Sequence, residues 1–187
     1  MLHEFAIADT CFLIDWARFR RRDIIFKVFR TVFIPESVIR EVVSENTISW
    51  ISKWLAKRGL SLYTESADEL EEARLLVVRT RRIPQIIPVD VPEALCLVVG
   101  RKYGYVVLTE NRGAIMATEV IEELSNVKVW RSLELLVEAV KSGVLKVDCD
   151  NPEKVFREYM EDTLHIFPRN DYSKAVAEVV RICKKRR

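Results

Sequence analysis

Glycine is scarce in this chain, with five in 187 residues. None of them makes a glycine-rich loop after an apolar run, which excludes both a P-loop and a dinucleotide fingerprint. Histidine is scarcer still: His3 and His165 are the whole supply. They are too few and too far apart for a histidine-based metal or nucleophile site, and His165, beside Ile166 and Phe167, reads as a packed or surface residue. There is no G-x-S-x-G elbow. The four cysteines, Cys11, Cys96, Cys149 and Cys183, are scattered, with no C-x-x-C and no metal-ligand spacing. Cys11 and Cys96 lie in apolar runs and read as small core residues, a usage that suits a reducing, cytoplasmic setting. No apolar run nears the roughly 20 residues that cross a bilayer. No charged segment leads an apolar one at the start, so neither a membrane span nor a signal peptide is expected.

Charge of one sign is lacking too. Thirty Lys and Arg against 28 Asp and Glu leave a formal +2, which by itself argues neither for nor against a polyanionic partner. The basic residues are nevertheless clustered, at Arg18, Arg20, Arg21 and Arg22, at Arg79, Arg81 and Arg82, and at Lys184, Lys185, Arg186 and Arg187. Such clusters hold phosphates in some proteins, but solvated helix ends are the plainer account. The four tryptophans fall at apolar helical or strand positions, where core packing is the better reading than base stacking.

What is present is alternation. Short apolar runs at 5–8, 32–34, 62–63, 105–108 and 127–130 read as strands. Segments at 11–20, 24–29, 47–58, 66–80, 114–124 and 132–142 show helical spacing. Pro35 is placed to open a helix, Gly59 to end one, and Asp90 with Glu93 to form a capping box ahead of a helix that runs to Gly104. This pattern predicts an α/β fold with a central, mostly parallel sheet over residues 1–143. Residues 144–187 read as a helical C-terminal extension packed on the same domain.

Four acids stand out against that frame: Asp9, Glu41, Glu93 and Glu110. Asp9 and Glu110 follow strands directly, and Glu41 and Glu93 lie in the helices that follow strands or loops. In open α/β sheets the site lies at the carboxyl ends of the strands. Carboxylates gathered there repel one another unless a cation neutralises them, and oxygen donors select hard divalent ions. Individually, Glu41 reads equally well as a solvated helix residue, Glu93 as a cap partner and Glu110 as a turn acid. All four coinciding at one sheet end points to a single site.

Three passages resemble the PIN-domain ribonucleases, of the toxin and archaeal types. They are Ala6-Ile7-Ala8-Asp9-Thr10, Val32-Phe33-Ile34-Pro35 through Glu41, and Pro92-Glu93-Ala94 leading to Val106-Val107-Leu108-Thr109-Glu110-Asn111. The match spans roughly residues 4 to 131. The resemblance implies a three-layer α/β/α domain and an endoribonuclease that hydrolyses RNA phosphodiesters by metal-activated water. Asp9, Glu41, Glu93 and Glu110 would be both the catalytic acids and the ligands of Mg2+ or Mn2+. Thr10, Thr109, Asn111 and Arg112 would stand behind those ligands or touch a phosphate. It also brings the expectation of an RNA partner, a homodimer, and an antitoxin or other protein partner, with a toxin or RNA-processing role.

The chain departs from that family's pattern at Glu93 and Glu110, where Asp is usual, and at Asn111, where an acid is usual. A longer side chain shifts a ligand oxygen by about 1 Å, which matters for near-octahedral Mg2+. The rival expectation is therefore a catalytically weak or inactive PIN-like module that binds RNA or protein. A receiver-like or hydrolase-like phosphoryl chemistry is a third reading, weakened by the lack of a lysine partner in the expected turn.

Overall fold

The computed structural model describes residues 3–186. β1 (His3–Ala8) leads into α1 (Thr10–Arg18). A 3-10 turn (Arg22–Ile24) and α2 (Ile25–Val28) precede β2 (Phe29–Pro35), α3 (Glu36–Glu41) and α4 (Glu45–Ala56). β3 (Leu60–Tyr63) is followed by α5 (Ala67–Arg82) and α6 (Val91–Tyr103). β4 (Val106–Leu108) is followed by α7 (Arg112–Val120) and a second 3-10 turn (Glu122–Leu124). β5 (Val129–Trp130) precedes α8 (Ser132–Lys141), α9 (Lys154–Thr163) and α10 (Arg169–Arg186).

The five strands form one sheet in the order β3-β2-β1-β4-β5, and every pairing is parallel. The chain builds outward from β1 through β2 to β3, then returns to lay β4 and β5 on the other side. The β1–β4 seam is where the order reverses, the place where open α/β sheets leave a crevice for ligands.

Alternation along the strands divides the interior into two cores, one on each face of the sheet. Ala6, Ala8, Val106 and Leu108 face a core shared with α1, α4, α8 and α9. Ile7 and Val107 face the other, built from α5, α6 and α7. The strands between are buried on both sides, which is why β1 and β4 read as continuous apolar runs. The result is a three-layer α/β/α arrangement.

Helix ends were legible only in part. Ser66 and Glu69 form a reciprocal capping box at the start of α5. Asp90 occupies the N-cap of α6 but makes no side-chain cap hydrogen bond, so the capping box expected from Asp90 and Glu93 is not made. Pro35 ends β2 and sits one residue ahead of α3, with extended backbone. At the end of α4 the left-handed residue is Arg58, with φ of 60°, and not Gly59. Gly59 is required for space instead: a Cβ there would lie 2.7 Å from the Trp54 ring and 2.9 Å from Phe26.

The C-terminal helices contribute Val155, Phe156, Tyr159, Ala175 and Val179 to the first core, and α9 and α10 lie against α1 and α8. Part of the first basic cluster fastens this packing. Arg20 makes a forked pair with Asp162, and Arg21 pairs with Glu158 at 2.8 Å. Those two arginines are held by α9 carboxylates. Of the final basic run, Arg187 lies outside the described residues.

Two cysteine readings are corrected. Cys149 and Cys183 form a disulfide, with Cα atoms 5.6 Å apart, that ties the segment before α9 to α10. Disulfides are rare where thiols are kept reduced, so the cysteines no longer argue for a reducing compartment. Cys96 is buried as expected, but Cys11 is exposed. Among the described residues no helix is long and apolar enough to cross a membrane.

Candidate active site

The β1–β4 seam places Asp9 beside Thr109. Asp9 N–H donates to Leu108 O at 3.0 Å, which continues the sheet by one residue. The Asp9 side chain then caps α1: Oδ1 accepts from Phe12 N–H at 2.8 Å. Its other oxygen, Oδ2, accepts from the Thr109 hydroxyl. Asp9 is fully buried. Burial pushes its carboxyl up to about 7, against the downward pull of those two hydrogen bonds, and the charges of Glu93 and Glu110 push the same way as burial.

The other three acids reach this end of the sheet by different routes. Glu93 stands in the first turn of α6. Its Oε1 accepts from Asn111 Nδ2 at 3.3 Å, while its Oε2 is buried with no hydrogen-bond partner. Burial raises its carboxyl, and the charges of Asp90 and Glu41 raise it further. Glu41, the last residue of α3, is exposed, and Oε2 accepts from the Thr10 hydroxyl at 2.6 Å. Glu110 is nearly enclosed: Oε1 accepts both from Ser132 N–H, at 2.7 Å, and from the Ser132 hydroxyl. Burial raises its carboxyl in spite of the Ser132 bonds.

Thr10 and Thr109 therefore stand behind Glu41 and Asp9. Asn111 does two things at once: its amide nitrogen serves Glu93, and its carbonyl oxygen caps α7 through Ala114 N–H at 3.1 Å. Arg112 opens α7 and lines a groove of about 830 Å³ that begins beside Glu110.

Two residues of the site were missed. Asp15, on α1, lies opposite His165, with 3.3 Å between Oδ2 and Nδ1. His165, read from the sequence as a packed or surface residue, comes from the turn between α9 and α10, and its Nε2 lies 3.5 Å from Glu110 Oε2. One imidazole thus spans two carboxylates. The Asp15 hydrogen bond raises its pKa in spite of burial, and Glu110 adds to the rise. No local signal marks His165, because it lies some 55 positions beyond Glu110 and outside every motif. Cys11 sits in the same field: its side chain is exposed by surface area but partly desolvated by its surroundings, and that desolvation with the charges of Asp9, Glu93, Asp15 and Glu41 pushes its thiol up to about 11. That keeps it protonated and unreactive at neutral pH.

The acids share a field without forming a closed shell. Among the described residues no three or more His, Cys, Asp or Glu side chains are gathered so as to hold a metal ion. Asp9 feels Glu93 and Glu110, Glu93 feels Glu41, and Glu110 feels Asp15. No family model matches this sequence, and no curated protein and no solved structure matches it either.

Proposed function

We propose that this chain is a divalent-metal-dependent endoribonuclease of the PIN type. The observation that carries the reading is the unpartnered, buried Oε2 of Glu93, set with Asp9 and Glu110, whose carboxyls like its own are pushed upward, at the switch point of a parallel sheet. A buried carboxylate oxygen left without a partner is costly, about 1–3 kcal/mol. Neighbouring negative charge makes it more so. A cation relieves both.

Carboxylate oxygen is the donor type that Mg2+ or Mn2+ takes, although among the described residues no three such side chains are gathered into a shell. These ions take oxygen ligands, and Mg2+ keeps several waters, so one or two carboxylates suffice beside substrate phosphate. Glu93 and Asp9 are the residues that would hold it, with Glu41 at the exposed rim. When bound, the ion supplies a water made acidic enough to attack at neutral pH and a positive charge for the phosphodiester oxygens. The chain does the rest. Phe12 N–H and the Thr109 hydroxyl fix the plane of the Asp9 carboxylate. Thr10 steadies Glu41 where it can orient water at the rim. Ser132 holds Glu110 in one rotamer. Arg112 lines the groove beside Glu110, where its guanidinium would meet a phosphate oxygen. RNA is the partner of this reading, and a homodimer or an antitoxin-like protein partner belongs with it.

A second reading, a PIN-like module that binds RNA or protein without cutting, is favoured by one observation. Both oxygens of Glu110 already have neighbours, Ser132 on one side and His165 on the other. Titration of Mn2+ and Mg2+ by calorimetry, with a structured-RNA cleavage assay on the same samples, separates the two. A working nuclease gives metal binding and cleavage that both vanish in Asp9→Asn. Metal-free, inert wild-type protein ends the nuclease reading, and cleavage retained in Asp9→Asn removes the site from it.

A further inference from the structure

Helix α5 packs on the rest of the domain through Ala73, Leu76, Val77 and Thr80, which are buried, and turns a second apolar strip outward. Leu75 is 61% exposed and Val78 45%. With Glu71 and Arg82, both exposed, they fall at steps of four, three and four residues. Such steps return side chains to one line along a helix, the spacing of a two-helix seam. The helix is also polarised: Asp68, Glu69, Glu71 and Glu72 come early, and Arg79, Arg81 and Arg82 come last.

The strip is its own complement when read in reverse. A two-fold axis passing midway between Leu75 and Val78 lays α5 antiparallel on a second copy. Leu75 then meets the partner's Val78, and Glu71 meets the partner's Arg82, each contact occurring twice. Glu72 and Arg81 are related in the same way. Arg74 and Arg79 also come opposite one another, but each already has a carboxylate, Glu71 at 3.6 Å and Glu123 at 2.9 Å. Parallel pairing would set Glu71 against the partner's Glu71 and Arg82 against the partner's Arg82. Those like charges repel, so the order of charges selects the antiparallel copy.

The apolar surface continues beside the strip. A groove of about 240 Å³, lined by Leu76, Val98, Ile121 and Leu124, leads from α5 toward the end of α7, where Val120 is exposed as well. Ion pairs of Glu72 with Arg101 and of Arg79 with Glu123 flank it. An apolar centre with a charged rim is the anatomy of a protein interface.

We infer that α5 is the face on which two copies of this chain pair, antiparallel about a two-fold axis, with Leu75 and Val78 at the centre and Glu71 bonded to the partner's Arg82 at each end. None of these side chains belongs to the acid site, so the pairing needs no cation and stands apart from the nuclease reading.

The test is sedimentation velocity on the full chain without divalent metal, from about 1 to about 100 µM, the span over which a small interface dissociates. It compares wild type with Leu75→Asp, Glu71→Arg, Arg82→Glu and the double variant Glu71→Arg/Arg82→Glu. Thermal unfolding checks that each is folded, and the charge variants carry the test should Leu75→Asp fail to fold. Wild type should dimerise and Leu75→Asp should be a monomer. Each single charge reversal should weaken the dimer about tenfold, because it replaces two attractive contacts by two repulsive ones. The double variant should regain wild-type association, and the two single variants should associate with each other when mixed. A monomeric wild type throughout the range overturns the pairing. So does a dimer that none of these variants weakens, which would place the interface elsewhere. Single reversals that weaken the dimer with no recovery in the double variant overturn the antiparallel contact of Glu71 with the partner's Arg82.

Discussion

Thr109 and Asp9, 100 residues apart, meet across the seam between β1 and β4, where the threonine hydroxyl donates to Oδ2 of the fully buried aspartate. The same hydroxyl oxygen accepts from Asn111 N–H at 2.9 Å, so Thr109 joins Asp9 to the residue that caps α7 and supports Glu93.

Thr109→Val should therefore destabilise the protein by about 1–3 kcal/mol, because it strands a buried carboxylate oxygen while keeping the side-chain volume. It should also raise the Asp9 carboxyl further, since the lost bond is one of those pulling it down. Urea unfolding at pH 7.5 measures the first effect, with Thr109→Ser as the control that keeps the hydroxyl. Equal stability of the valine and serine variants would show that the bond does not hold Asp9.

Stability of the metal-free protein should fall as pH rises from 5 to 8. Asp9 binds its proton up to about pH 7 in the folded chain and only to the ordinary 3.8 when unfolded. Between those values the folded state holds more protons, so the contribution is present at low pH and is lost through pH 7. The raised Glu93, Glu110 and His165 act in the same direction, and His3, lowered chiefly by burial, opposes them. Asp9→Asn should flatten part of the slope and melt higher than wild type at pH 8. Parallel melting curves for the two proteins across that range would contradict the buried, proton-binding Asp9.

Reduction of the Cys149–Cys183 bridge should lower stability by about 3–4 kcal/mol on the chain-entropy scale for a loop of this size. Cys149→Ser should lower the melting temperature as far as reductant lowers that of wild type, and reductant should have no further effect on the variant. A melting temperature indifferent to reductant would mean that the bridge adds nothing to the packing of α10.

Gly113→Ala should destabilise by about 1–3 kcal/mol through overpacking. A Cβ there would lie 2.2 Å from the backbone oxygen of Ile87, which cannot move aside as a side chain can. The strain falls on the first turn of α7, beside Asn111, so the Asn111 bond to Glu93 should loosen and Mn2+ affinity change with it. Gly104→Ala, at φ 71° with open space around it, isolates the backbone penalty alone. An alanine at 113 that costs no more than one at 104 would show that the close approach is not tight.

Much of the frame was legible in the sequence because it is local. Short continuous apolar runs, period-3.6 apolar spacing, a left-handed Gly104 after α6 and an acid directly after a buried strand are each signalled within a few residues, so the α/β alternation and the position of Asp9 followed from them. Caps were less secure: Asp90 has the right residue type and lacks the bond, since rotamer choice depends on what surrounds it. The strand order, the hydroxyl that Thr109 turns toward Asp9, the Cys149–Cys183 bridge, the exposure of Cys11 and the insertion of His165 between Asp15 and Glu110 were decided by tertiary structure alone. Each depends on which distant surfaces pack together, and packing of distant surfaces leaves no periodic mark on the chain. The sequence by itself determined which groups carry charge and which segments are strand or helix. Only the folded chain decided which of those charges share a low-dielectric space, and that sharing is what pushes the carboxyls of Asp9, Glu93 and Glu110 upward.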